Sequence, residues 1–287
     1  MAFGSDGSLI MLEHGGVAWA SADHPLGQFT YRTFNESDWQ PFTYAYINGH
    51  GESGGFCKPG SNNFSEARVW KPTAVNLFVE GGTKAASSVV VELKMPLKAS
   101  QVYGSWSTVF LTYSFPASNA TTTSSASSLA GGALEMALEA TLLAKLPTMV
   151  GESTSISFTP LPNLTPEVSP AGDRKSAWSI DKLGQPVDPE GVLNGGNQFN
   201  HATWGGAVAQ TVAGQFKLET LDGPNLNPIT DLFPNGNPLP ATTDEASARA
   251  GTGMARLPPG SVKGMAVNLH NNLWNTNYPL CDQRACL

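Results

Sequence analysis

Apolar residues in this chain come in short alternating runs, each cut off by glycine, proline or an Asn/Ser cluster, and that pattern confines it to a β fold. Val75 to Val79, Ser88 to Leu93 and Val109 to Phe115 are runs of this kind, rich in β-branched and aromatic side chains, with Gly81-Gly82 parting the first two. Phe29, Tyr31 and Thr33 share one face of an extended segment, and Thr30, Arg32 and Phe34 the other. Trp178 to Lys182, Gln198 to Thr203, Ala207 to Ala213, Gln215 to Leu221 and Val262 to Leu269 continue the series. With 30 Gly and 21 Pro against 14% charged residues, the composition agrees. Many short strands with turns between them predict a mostly β chain, a large two-sheet antiparallel β-sandwich over 1–287 as a single region.

One segment sets two signals against each other. Ala133 to Lys145 is rich in Ala, Leu, Glu and Met, which favour a helix. Leu134, Met136, Leu138, Ala140 and Leu142 nevertheless alternate with Glu135, Glu139 and Thr141, and the period of two predicts a strand, although Leu134, Leu138, Leu142 and Leu146 also stack at helical spacing. Between the strands lie a polar Gly/Asn/Ser loop at 48–68, a Ser/Thr/Ala low-complexity insertion at 117–132 and a Pro-rich connection at 159–170. A long Pro/Gly-rich loop follows at 223–261.

A net charge of −7 argues against a nucleic acid partner. No window has the apolar length of a membrane span. The N-terminal sequence MAFGSDGSLIMLEHGG lacks a basic start and a long apolar core, so it is no secretory signal and reads as part of something longer. The compartment stays open. The three cysteines, Cys57, Cys281 and Cys286, form neither a disulfide framework nor a zinc pattern. No two of the five histidines have metal-ligand spacing, and there is no G-x-S-x-G elbow and no phosphate-binding glycine loop.

What chemistry the chain offers is concentrated in polar–aromatic stretches. In Ala266 to Leu280, the amides of Asn268, Asn271 and Asn272 interleave with apolar residues and lead to Trp274, Asn275, Asn277 and Tyr278. Amides that donate and accept, beside rings that stack on C–H faces, suit a sugar; a structural turn fits the same residues. His201 and Trp204 lie together in NQFNHATWGG. Glu219 and Asp222 are close enough in sequence for paired carboxylates, but Asp222 before Gly223-Pro224 also fits a turn, as do Asp181 and Asp188. The candidate carbohydrate contacts are His201, Trp204, Asp222, Asn272 and Trp274, with no catalytic residue and no metal ligand among them.

Several segments occur in the order of a known group of proteins. Pro25-Leu26-Gly27-Gln28-Phe29-Thr30-Tyr31-Arg32-Thr33 fits P-L-G-x-F-x-Y-x-T. Leu146-Pro147 is followed by Glu152, Phe158 and Pro160, and then by Trp178-Ser179-Ile180-Asp181-Lys182-Leu183-Gly184 and Val187-Asp188-Pro189. Gly196-Asn197, His201 and Leu218-Glu219-Thr220-Leu221-Asp222-Gly223-Pro224 come next, before the closing NLHNNLWNTNYP. This series resembles the C-terminal β-rich region of glycoside hydrolase family 38-like proteins, the α-mannosidase type. Trp274-Asn275-Thr276 departs from the usual W-G-T, and Cys281 to Leu287 replaces an aromatic-rich last strand. The resemblance implies a galactose-mutarotase-like super-sandwich without the N-terminal catalytic domain. Zinc would belong to that missing domain, and no cofactor to this chain. The implied function is a non-catalytic module that contributes to carbohydrate binding and supports the catalytic domain. A stand-alone carbohydrate-binding module and a structural remnant without activity are the alternatives.

Overall fold

The computed structural model describes residues 1–38, 65–81, 87–115, 133–166, 176–182, 184–190, 201–202, 206–221, 225–230 and 259–272. In chain order the strands are β1 (Ala2–Phe3), β2 (Leu9–His14), β3 (Val17–Ala20), β4 (Leu26–Thr33), β5 (Arg68–Trp70), β6 (Thr73–Gly81) and β7 (Ser87–Lys94). A short helix, α1 (Leu97–Gln101), precedes β8 (Thr108–Phe115), β9 (Ala137–Leu143), β10 (Glu152–Phe158), β11 (Trp178–Lys182) and β12 (Gln185–Val187). The series ends with β13 (His201–Ala202), β14 (Gly206–Thr211), β15 (Gly214–Leu218), β16 (Asn225–Ile229) and β17 (Gly264–Asn272). The chain is therefore mostly β, built of antiparallel sheets with little helix. The low-complexity insertion at 117–132 lies outside the described residues, as does most of the loop predicted over 223–261.

The residues group into two compact units. The first comprises Met1–Phe29 and Trp70–Pro147, the second Thr30–Val69 and Thr148–Leu287. In the first unit β6, β7, β8 and β9 form a meander in that order. One face carries the core: Val89, Val91 and Leu93 of β7 stand opposite Tyr113, Leu111 and Val109 of β8, all at most 2% exposed. In β9, Leu138, Ala140 and Leu142 oppose the same three residues, so the period of two prevails over helix propensity in Ala133 to Lys145. Register against β8 decides the matter, because propensity is only a weak prior beside tertiary packing.

Gly27 shows why the Pro25-Leu26-Gly27 segment has its form. Its φ of 75° is left-handed, and a Cβ there would meet the Tyr113 hydroxyl at 2.6 Å and Leu138 at 3.0 Å. The Tyr113 hydroxyl donates to the carbonyls of Gly7 (3.0 Å) and Gly27 (3.3 Å). Burial, with Asp6 as the lesser cause, pushes this phenol well above its ordinary range, so it stays a donor.

The second unit has the end of β4 from Thr30 onward, β10, β17, β16 and β13 side by side, and separately β12, β11, β14 and β15. Here one strand appears that the sequence reading did not address, and one prediction is corrected. Glu152–Phe158 carries no strand signal, yet it is β10, between β4 and β17 and buried at all seven positions. The beginning of the loop predicted at 223–261 is strand β16. Pro228 stands in β16 opposite Met265 of β17, a position where a strand proline must not be asked to donate a ladder hydrogen bond.

Two glycines separate conformational strain from steric clash. Gly27→Ala is expected to lower unfolding stability by about 2–4 kcal/mol, the sum of a left-handed backbone and an overpacked Tyr113. Gly16 has a φ of 77° and open space around it, so Gly16→Ala should cost only about 1–2 kcal/mol. Urea midpoints of the two variants check this; equal losses would remove the Tyr113 contact from the account.

Candidate functional site

A strand buried on both faces usually reads as a run of Val, Ile and Leu. β10 instead reads ESTSISF, and Glu152, Ser153, Thr154, Ser155 and Ser157 are each at most 6% exposed. Each of these polar groups must be satisfied inside the protein or be placed for use. The alternation of side chains sorts them into two sets.

On one face Thr30 Oγ1 and Ser155 Oγ share a hydrogen bond of 3.0 Å, and Asn268 Nδ2 donates to Asn227 Oδ1 at 3.0 Å. This is a polar seam within the sheet. The register joins it: Ser155 opposes Asn268 across the β10–β17 pair. Asn268 Oδ1 has no hydrogen-bond partner among the described residues.

The other face carries the titratable groups. Glu152, 1% exposed, accepts a hydrogen bond of 2.7 Å from the Tyr31 hydroxyl through Oε2. Its Oε1 lies 3.5 Å from Nε2 of His270, an ion-pair distance for a protonated imidazole and too long for a strong hydrogen bond. Thr154 stands opposite His270 and Glu152 opposite Asn272, so these four residues share a face. The Thr154 hydroxyl is fully buried with no partner among the described residues. The His270 side chain is 31% exposed and brings the cluster to solvent. Burial first, and then the charge and hydrogen bond of Glu152, push the Tyr31 phenol far above its ordinary range. A carboxylate held by a phenol and flanked by an imidazole can accept hydrogen bonds from hydroxyl groups. No cluster of three metal-binding side chains occurs among the described residues.

A bulge at β17 sets this arrangement. Thr154 pairs with His270 but Ser155 pairs with Asn268, so Leu269 is the extra residue. Without it, His270 and Asn268 would lie on the same face. The bulge turns His270 toward Glu152 and leaves Asn268 in the seam.

Of the residues proposed from sequence, Trp204, Asp222 and Trp274 lie outside the described residues. The backbone of His201 is described, in β13 opposite Leu226, which itself pairs with Val267. Asn272 lies at the far end of β17, opposite Glu152. Two strand spacings and five residues separate His201 from Asn272, roughly 19 Å, so these two are not brought together. Sequence reasoning named Glu152 only as part of a motif and did not select Tyr31 or His270. The available signal was a lone Glu at the head of a Ser/Thr run that offers the carboxylate no cation.

Residues 1–123 match the family model described as Domain of unknown function (DUF5054). No curated protein and no solved structure matches the chain. The matched part includes Tyr31, whereas Glu152 and His270 lie beyond it.

The Tyr31 environment fixes a pH dependence. Its folded pKa is raised above the ordinary phenol value of 10.0, so the stability it contributes is fully present below pH 10.0. Above that, the unfolded chain releases a proton that the folded one retains, and stability falls by about 1.4 kcal/mol per pH unit for each such tyrosine. Tyr113 is raised as well and adds its own decline. Tyr31→Phe should therefore cost about 2–3 kcal/mol at neutral pH, by loss of a hydrogen bond to a charge, and make the alkaline decline shallower. Urea unfolding from pH 8 to pH 11 measures both; a wild-type slope in the variant would place Tyr31 in solvent.

Proposed function

We propose that this chain is a non-catalytic carbohydrate-binding β-sandwich, two-sheeted and galactose-mutarotase-like, of the kind that forms the C-terminal region of family 38-like glycoside hydrolases. The observation that carries the binding reading is the shared face of Glu152, Tyr31, His270 and Asn272 at the end of the β10–β17 pair. A carboxylate accepts from sugar hydroxyls, an amide both donates and accepts, and an imidazole does either according to its tautomer. Trp274 follows Asn272 by two residues in the sequence, and an indole is the kind of ring on which a sugar stacks. Glycoside hydrolysis takes two carboxyl groups across the scissile bond, and the cluster of Tyr31, Glu152, His270 and Asn272 holds one. That favours recognition over hydrolysis. In this reading the chain supports a catalytic domain, and any zinc is that domain's.

Calorimetric titration with mannose-type and plant-wall oligosaccharides tests the proposal. The chain should bind one class, and Asn272→Ala and Trp274→Ala should each weaken affinity about tenfold or more, a loss of about 1.4 kcal/mol. Their thermal midpoints should shift by no more than about 4 °C. A folded chain that takes up no glycan overturns the reading, and a collapse of the midpoint in Trp274→Ala makes that ring a core residue. The mass of the native polypeptide then separates the two settings. Several-fold more than 30.2 kDa fits a hydrolase region, and 30.2 kDa a stand-alone module.

A further inference from the structure

We propose that strand β6 of the first unit pairs antiparallel with β6 of a second copy of this chain, about a two-fold axis at Phe78. The inference is independent of the glycan reading. Among the described residues β6 pairs only with β7, so its outer edge is open. Along that edge Val75, Leu77, Phe78 and Val79 are 47%, 49%, 52% and 66% exposed, an unusual concentration of large apolar side chains on one strand.

Exposed edges are ordinarily blunted by lysine, proline or a bulge. Thr73–Gly81 contains neither lysine nor proline. Its one register shift lies between Ala74 and Asn76, and Ala74 N–H donates to the Ser5 carbonyl at 2.7 Å, so the irregular end is already engaged. The regular stretch left open is Asn76-Leu77-Phe78-Val79-Glu80.

That stretch is complementary to itself in reverse. With the two-fold axis at Phe78, Leu77 of one copy faces Val79 of the other, Phe78 faces Phe78, and Asn76 faces Glu80. Every apolar residue then meets an apolar one, as cross-strand pairs require. Each Glu80 carboxylate meets Asn76, whose amide already donates to Glu92 Oε2 at 2.7 Å and has a second N–H to offer, and the two Glu80 side chains are kept at opposite ends of the pairing. Leu77 and Val79 stand opposite Val91 and Val89, which are buried in β7, so the partner strand would extend the core face of the meander past its present edge. A segment of unrelated sequence would satisfy the backbone groups but not this pattern of side chains, which favours a second copy as the occupant.

The register makes the test specific. Directly opposed residues have Cα atoms about 4.5–5.5 Å apart, within disulfide reach, whereas two Val79 residues would be roughly 8 Å apart, beyond it. In the full chain with Cys57, Cys281 and Cys286 replaced by serine, Phe78→Cys should form an intermolecular disulfide under mild oxidation. Val79→Cys should not, but should cross-link when mixed with Leu77→Cys. Sedimentation of the unmodified chain should give about twice 30.2 kDa at raised concentration, and Phe78→Lys should return it to the monomer. A chain that stays monomeric, a dimer that survives Phe78→Lys, open-ended larger species, or equal cross-linking of Phe78→Cys and Val79→Cys would each overturn the proposal.

Discussion

The buried carboxylate of Glu152 is the constraint around which the second unit is organised. A carboxyl group at 1% exposure is stable only where hydrogen bonds replace its water. Tyr31 from β4 supplies one bond and His270 from β17 stands on the other oxygen, so the strands on either side of β10 both contribute to the same group. Removing either neighbour leaves the carboxyl group without its setting. The carboxylate thus ties the order β4, β10, β17 to a chemical requirement as well as to backbone pairing.

The rest of β10 follows the same logic. Ser155 bonds to Thr30 on the face away from Glu152, and Asn268 to Asn227 extends that seam. A polar central strand gains little from apolar transfer, so the hydrogen bonds of Glu152 and Ser155 to neighbouring strands help fix its register. The bulge at Leu269 is part of that specification, since it puts His270 and Asn268 on opposite faces.

The first unit solves its packing by different means. Its meander core is apolar, and the buried Tyr113 hydroxyl is met by the carbonyls of Gly7 and Gly27. In both units, then, a tyrosine reaches polar groups across the chain. For Tyr113 the acceptors are the backbone carbonyls of Gly7 and Gly27, and the missing Cβ of Gly27 leaves room for the phenol; for Tyr31 the acceptor is the buried carboxylate of Glu152. The segment from Pro25 to Thr33 serves both: Leu26 and Phe29 are buried, Gly27 admits Tyr113, and Tyr31 anchors Glu152.

The sequence by itself determined the β class, the strands rich in Val, Phe and Leu, the two faces of the segment around Tyr31, and the extended state of Ala137–Leu143. These are properties of side-chain period and turn chemistry, which neighbours in the sequence carry. Strand β10 was not legible, because Ser and Thr have no apolar alternation to reveal a buried face. Strand β16 was hidden by its Asn and Pro, which signal turns unless a neighbouring strand holds them extended. The partnership of Tyr31, Glu152 and His270 was equally out of reach. Its members are separated by 121 and 118 positions in the chain, and only the pairing of β4, β10 and β17, with one extra residue at Leu269, brings a phenol, a carboxylate and an imidazole to one face. Tertiary structure decided the site because proximity between strands distant in sequence is set by register, and register depends on every pair along the strands together.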